Sequence, residues 1–494
     1  MAAGQSKKIL YADWCFAGVI LFFIVRGYSE HQFLVPVSQL LLLLGVLLLI
    51  GVALYFIFRR IFQNGHKAAL YTAFFLTILL FFGVFQDFLA QFKWLASFTK
   101  LTILLPLNIV ALVVLFIWMK RTKRSFNRTV FFVNTLLLLY LVFDLAIIAY
   151  RFISPPQNEH LVEKYQLHGC DTCAKPPVYF ILLDSYYGST GLKAYFNYDN
   201  SAFEGSLKAK GFRVNSGSIS NYYYTLYSMA SMLNMEYLEG IGEPVLKNHY
   251  AFTRATGNMR NNIVCRYFYS LGYRVNNYSI FDMPGAHAGY NSGDLPDKIQ
   301  LVTHKTMYYR VRKYLPQFLV RMKWVKHLAA DIENEYIGNN ETMIQRTLAE
   351  SRSQNSRPAF TYTHLMMPHG PYVFDSLGNR TNIMDRQPLR RDLRDQMFLQ
   401  YQVYTNKRIS AFIDELQKAT HGKAVIVLMS DHGYQAAFQK EKKLAFYNLN
   451  AVYLPQRSYA GWYDGVSNVN QFRILFNTLY QQDMPLLRDT IIAQ

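Results

Sequence analysis

Two regimes of hydrophobic patterning divide the chain. Up to about residue 150, apolar residues come in long unbroken runs separated by short polar clusters. Beyond it the apolar runs shrink to about six residues and alternate with amphipathic stretches. The long runs fall at about 9–28, 33–58, 68–90, 101–119 and 129–150, each near the ~20 residues that cross a hydrocarbon core as a helix. Leu40 to Ile57 and Phe131 to Ile148 are the most uniformly apolar; the first run is the weakest, because Asp13 and Arg26 flank a short core. The pattern predicts five transmembrane helices within residues 1–152. No small-x-small site follows the first run and four more runs come after it, which argues against a cleaved signal peptide.

Residues 153–177, polar and bounded by Pro155-Pro156 and Pro176-Pro177, read as a linker. Its Cys170-Asp-Thr-Cys173 pair fits a redox couple, half a zinc site or a local disulfide; with no second Cys-x-x-Cys, a disulfide or two idle thiols is the simpler reading. From residue 178 to 494 the pattern is α/β. Val178–Leu183 and Ala424–Met429 are short continuous apolar runs, as expected for buried parallel strands. Ala359–His364 and Tyr273–Tyr278 resemble them, Leu399–Leu416 is a helix, and Leu315–Glu350 is a helical insertion lying on the main sheet. Strands alternating with helices predict a central, mostly parallel sheet with helices on both faces.

Charge sharpens the division. The chain carries 51 Lys/Arg against 32 Asp/Glu, a net +19, yet only 17% of its residues are charged. Residues 1–150 hold 13 basic and 4 acidic residues, gathered between the apolar runs. Lys7 and Lys8, then Arg59, Arg60 and Lys67, then Lys120 to Arg128 mark alternate loops as cytoplasmic. The amino terminus is therefore expected inside, and everything beyond Arg151 outside. Asp13, Asp87 and Asp144 lie toward the ends of runs, where a structural role is the simpler reading. The abundance of Phe and Tyr, 37 of each, excludes a disordered chain, and four Cys in 494 residues exclude a disulfide scaffold. No nucleic-acid motif accompanies the positive charge, so nucleic acid is not an expected partner.

Candidate chemistry sits at strand ends, where open α/β sheets place reactive groups. One apolar strand ends at Asp184, the other at Ser430-Asp431-His432-Gly433. Two carboxylates and an imidazole suit a divalent cation such as Mn²⁺, Zn²⁺ or Mg²⁺, although either segment alone reads equally well as a turn. Thr225, in Asn221-Tyr-Tyr-Tyr-Thr225-Leu-Tyr-Ser228, opens a predicted helix. There it could cap the helix, as could Ser228, or serve as a nucleophile beside a cation. His364 and His369 stand five apart on a Pro- and Gly-stiffened segment and could contact a phosphoryl group or protonate a leaving group.

These motifs, in this order, resemble the alkaline-phosphatase/sulfatase superfamily. The match is to its membrane-anchored branch of lipoteichoic acid synthases and phosphoethanolamine transferases. The stretches Leu449–Pro455 and Val469–Arg473 also fall in that family's order. The resemblance implies five membrane helices followed by an exported α/β alkaline-phosphatase-like domain. It implies that Asp184, Thr225, Asp431 and His432 surround one divalent metal, that Thr225 carries a covalent phospho-intermediate, and that His369, His364 and His287 line the substrate pocket. Two departures stand out. The first carboxylate is Asp where lipoteichoic acid synthases have Glu. The Tyr-Thr-Leu-Tyr-Ser context around Thr225 also lacks the Cys/Ser-x-Pro-x-Arg signature of formylglycine sulfatases. No Asp-x-x-x-His spacing suggests a second metal site.

The expected activity is a multi-pass cytoplasmic-membrane transferase with its catalytic domain on the outer, periplasmic side. It would pass the head-group phosphate of a phospholipid donor, phosphoethanolamine or phosphoglycerol, through Thr225 to a cell-envelope glycan or lipid acceptor. A metal-dependent phosphate- or sulfate-ester hydrolase and an inactive membrane scaffold are the alternatives.

Overall fold

The computed structural model describes residues 10–153, 165, 167–238, 249–290, 298–321, 326–353, 355–381 and 391–492. The chain divides into two compact units, Met1–Gln157 with Gly293–Phe318, and Asn158–Ser292 with Leu319–Gln494.

The first unit contains α1 (Cys15–Glu30), α2 (Val37–Phe62), α3 (Gly65–Ala90), α4 (Leu101–Arg121) and α5 (Asn127–Ile153). Among the described residues, four of these, α2 to α5, are long and apolar enough to cross a membrane. Of the five expected spans these are four; the first is formed by a shorter helix. α1 has 16 residues, a length of ~24 Å at 1.5 Å per residue, short of a hydrocarbon core. Asp13 and Glu30 bound it. It lies inside the bundle, with Cys15, Ile20 and Phe23 buried and Phe16 stacked on Tyr55 at 5.1 Å between centroids. Its flanks still run the length of α5: Asn134 Nδ2 donates to the carbonyls of Leu10 and Ala12 at 2.9 Å, while Gln32 Nε2 donates to the Ile148 carbonyl at 3.2 Å.

Among the described residues 10–153 all four carboxylates are paired, Glu30 with Arg26 at 2.9 Å. Asp13 accepts from Tyr55 at 3.0 Å and lies 2.5 Å from His66 Nδ1. Asp144 accepts from Arg26 at 3.1 Å, and Asp87 takes Arg310 Nη2 at 3.0 and 2.8 Å. A paired carboxylate is the affordable form of such a group in apolar surroundings.

The second unit is built on a six-stranded sheet. Its strands are β1 (Val178–Leu183), β2 (Arg213–Val214), β3 (Arg274–Tyr278), β4 (Ala359–Leu365), β5 (Val425–Ser430) and β6 (Asn450–Tyr453), in the order β2-β6-β5-β1-β4-β3. The sheet is mixed. β5, β1, β4 and β3 pair in parallel, but β6 runs antiparallel to β5 and to β2. The expectation of a mostly parallel sheet missed β2 and β6, which are too short to show a period in sequence.

Helices cover both faces. Tyr179, Ile181 and Leu183 pack with Met343, Ile344 and Leu348 of helix Lys326–Ser351 and with Ile409, Phe412 and Leu416 of helix Arg391–Ala419. On the opposite face Phe180 meets Phe472 of helix Gln471–Tyr480 at 5.2 Å, and Phe360 stacks on Phe268 of helix Ile263–Ser270 at 4.3 Å. The alternation of side chains along each strand drives this division. The helical insertion read at 315–350 is two helices, Met307–Arg321 and Lys326–Ser351. The second packs on the sheet; residues up to Phe318 group with the membrane helices. The chain's Cys170 and Cys173 form a disulfide with a Cα separation of 5.4 Å. Most of the linker, residues 154–164 and 166, lies outside the described residues.

Candidate active site

Sheet register assembles the site. Leu183 aligns with Ser430 on one side and Leu365 on the other, so the next residues, Asp184 and Asp431, leave neighbouring parallel strands at the same level. Ser185 turns the chain sharply with φ +61°. Its N–H donates to Asp431 Oδ1 at 2.9 Å and its hydroxyl donates to Asp184 Oδ1 at 3.0 Å, tying the two strand ends together. Gly433 ends the Asp-His-Gly segment because another backbone lies against it: a Cβ there would sit 2.2 Å from the Tyr447 carbonyl oxygen.

Asp184, Asp431 and His432 are buried, and one ligand atom from each lies within 4.8 Å of the others. His432 Nδ1 is 2.8 Å from the Gly433 carbonyl. A carbonyl only accepts, so Nδ1 carries a proton and Nε2 is the atom turned to the cluster. Asp431 Oδ2 lies 3.2 Å from that Nε2 and has no hydrogen-bond partner. Gln435 Nε2 also approaches His432 Nε2, at 3.3 Å, whereas the buried Asp431 oxygen is left without a partner among the described residues, and a divalent cation beside it would satisfy it. The donor set, two carboxylate oxygens and one imidazole nitrogen with a hydroxyl alongside, therefore fits such an ion.

Thr225 opens helix Thr225–Asn234, whose N-cap is Tyr224 with no side-chain capping bond. The capping alternative thus fails for both hydroxyls. Thr225 Oγ1 lies 3.5 Å from Asp184 Oδ2 and 3.4 Å from His432 Nε2. Ser228 Oγ donates to the Asp431 carbonyl at 2.5 Å and so holds the helix against the strand end. The open amino end of the helix faces the same cluster, a setting that favours anions.

His364, inside β4, is fully buried, with Nε2 3.2 Å from Asp184 Oδ2 and Nδ1 3.0 Å from the Tyr362 hydroxyl. His369 lies beyond the strand, half-buried, with Nδ1 2.7 Å from the Gly370 carbonyl. Burial disfavours the charged form of Asp184. The imidazoles of His369, His364 and His432 outweigh burial and hold its carboxyl well below the ordinary range. Asp431 moves the other way, raised by burial and then by the charge of Asp184. One carboxylate is thus poised to ionise first, and a second strongly held one completes the set when positive charge enters.

His287 stands apart from this group. Its side chain is 89% exposed, with Nδ1 3.5 Å from Asp282 Oδ1. Its loop does border the site, since Tyr290 donates to the His364 carbonyl at 3.0 Å and Phe281 lies 6.0 Å from the His364 ring. Supporting residues absent from the sequence reading are Asn448 and Asn468. Asn448 Nδ2 donates to the Ser430 carbonyl at 2.7 Å, and Asn468 Nδ2 to the Asp431 carbonyl at 2.9 Å. Their one sequence signal is an unusual density of Asn from 448 to 470.

Comparison with known proteins bears on this geometry. Residues 242–472 match the Sulfatase family model. That stretch, a little under half of the chain, is similar to a sulfatase domain. The match spans β3, β4, β5 and β6 and so contains His364, His369, Asp431 and His432; Asp184 and Thr225 precede it. No curated protein matches the sequence. Among solved structures, the C-terminal periplasmic domain of EptC from Escherichia coli, in complex with Zn, is similar at 11% identity. That alignment covers 63% of this chain and 84% of that one, with a TM-score of 0.37. Lipooligosaccharide phosphoethanolamine transferase A (EptA), an integral membrane protein from Neisseria meningitidis, is similar at 11% identity over 95% of both chains, with a TM-score of 0.39. Likenesses this low carry no weight for the reaction.

Proposed function

We propose that this sulfatase-like chain is a membrane-bound, metal-dependent transferase. It moves a phospholipid head-group phosphate, as phosphoethanolamine or phosphoglycerol, through Thr225 to a cell-envelope glycan or lipid. The observation that carries the reading is the position of Thr225 Oγ1, within 3.5 Å of both Asp184 and His432. The hydroxyl caps no helix; it donates to Asp184 at 3.5 Å, where a nucleophile would lie.

Asp184, Asp431 and His432 would hold the divalent cation, with the Thr225 hydroxyl beside it. When bound, that ion supplies positive charge that lowers the hydroxyl's pKa and neutralises phosphoryl oxygens. The protein's own groups do the rest. The amino end of helix Thr225–Asn234 receives the phosphoryl oxygens. Thr225 Oγ forms a bond to phosphorus as the bond from phosphorus to the diacylglycerol oxygen breaks, and the departing diacylglycerol takes up the proton that Thr225 loses. His369, half-buried beyond β4, is the group assigned to relay that proton. In the second step an acceptor hydroxyl attacks the phosphothreonine and restores the free hydroxyl. His364 contacts the phosphoryl group from the buried side. His287, turned outward, is left to contacts with the distal part of a substrate.

The basic loops place the amino terminus in the cytoplasm. With α1 counted as a crossing parallel to α5, the α/β unit lies on the outer side of the cytoplasmic membrane, beside its lipid donor.

The test is intact-mass and peptide mass analysis of the purified full chain after incubation with head-group-labelled phospholipid and a divalent cation. The expected result is an adduct of head-group mass on Thr225, absent from Thr225→Ala and discharged by added acceptor. Discharge by water at the same rate would identify the hydrolase alternative. No adduct on the wild type, with head-group release undiminished in Thr225→Ala, would refute the nucleophile.

A further inference from the structure

The chain leaves the α/β sheet after β3 and returns to it before β4, and between them residues 293–318 group with the membrane helices. The contacts that seat this stretch are specific. The Lys305 carbonyl accepts the N–H of Gly83, a residue inside α3, at 2.7 Å. A Cβ at Gly83 would lie 2.8 Å from Lys305 Cα and from that oxygen, so only glycine admits the approach. At Gly27 of α1 a Cβ would meet Val302 Cγ1 at 2.5 Å, a second glycine-lined contact with the same stretch. One turn beyond Gly83, and so on the same face, Asp87 takes Arg310 in a two-oxygen ion pair. The Arg310 side chain is 16% exposed. His304 stands edge-on to His31 at 6.4 Å between ring centroids.

We infer that residues 298–318 are a second attachment of the α/β half to the membrane helices, independent of the 153–177 linker. Gly27 on α1, with Gly83, its backbone hydrogen bond and the Asp87 ion pair on one face of α3, make a seat for this one segment. None of them is needed for α1 or α3 to fold as helices, since glycine lowers helix stability. A single linker would leave the catalytic half free to range over the length of a flexible tether. The insertion between β3 and β4 supplies a second point at which the chain is tied to the membrane helices. The inference does not depend on the reaction proposed above.

The experiment uses the full chain in mild detergent, with a protease site introduced between Pro156 and Gln157. After cleavage the two wild-type fragments should co-elute on size exclusion. Asp87→Arg faces Arg310 with a like charge and should lower the co-eluting fraction roughly tenfold. Adding Arg310→Asp to it restores an ion pair of opposite sense and should recover co-elution, which also shows that the reversed-charge chains fold. Separation of the wild-type fragments, unchanged co-elution of Asp87→Arg, or no recovery in the doubly exchanged protein would each overturn the attachment.

Discussion

Replacing Asp431 by Asn should make the metal-free protein more stable and the metal-loaded protein less so. In the wild type the ligand atoms of Asp184 and Asp431 lie within 4.8 Å of each other, both buried. Two like charges at that distance repel by on the order of 3 kcal/mol at an effective dielectric constant of about 20. The neighbouring histidines offset part of this, leaving roughly 1–2 kcal/mol to be recovered when one charge is removed. Asn keeps an oxygen to accept the Ser185 N–H at the Oδ1 position. It also puts an amide N–H at the Oδ2 position, 3.2 Å from His432 Nε2, where it can donate a hydrogen bond. In chelator, thermal unfolding of the full chain should therefore move up by a few degrees. Titration with Mn²⁺ or Zn²⁺ should raise the wild-type midpoint, by the equivalent of about 2.7 kcal/mol at a hundredfold excess over Kd. The variant, short of one anionic ligand, should show little rise. A variant that melts below the wild type in chelator, or that keeps the full cation response, would refute both the repulsion and the ligand assignment.

Other consequences are open to direct measurement. Asn468→Ala removes the donor to the Asp431 carbonyl; divalent-cation affinity by calorimetry should fall about 10–100-fold, while a change confined to thermal stability would make the residue purely structural. Thr225→Ser keeps a hydroxyl at the site and should retain an adduct, whereas Thr225→Ala should lose at least about 10³-fold in transfer rate. Maleimide labelling of the denatured, unreduced chain should count the two free thiols, Cys15 and Cys265, and reduction should add Cys170 and Cys173; four labels before reduction would contradict the disulfide.

The patterns along the chain announced much of this protein. Long apolar runs marked α2 to α5 because a bilayer imposes a minimum length on any helix that crosses it. The continuous apolar runs at 178–183 and 424–429 marked β1 and β5 because a strand buried on both faces has no polar positions to alternate with. The acidic residues ending those runs, and Thr225 at the start of a helical stretch, were legible as candidates because strand ends and helix amino ends are where reactive groups gather. Other features depend on partners distant in sequence. Short β2 and β6 are strands only through the neighbours they pair with. α1 is enclosed by the other helices rather than long enough alone, and His287 turns outward although its loop reaches the site. Residues 298–318 belong with the membrane helices because Gly27, Gly83 and Asp87 receive them, and nothing in their own composition says so. Convergence itself was a tertiary outcome: it is the pairing of β1 between β4 and β5, in this register, that carries Asp184, His364 and Asp431 to one point. Hydrophobic periodicity is a property of neighbours along the chain, whereas a binding site is a property of neighbours in space.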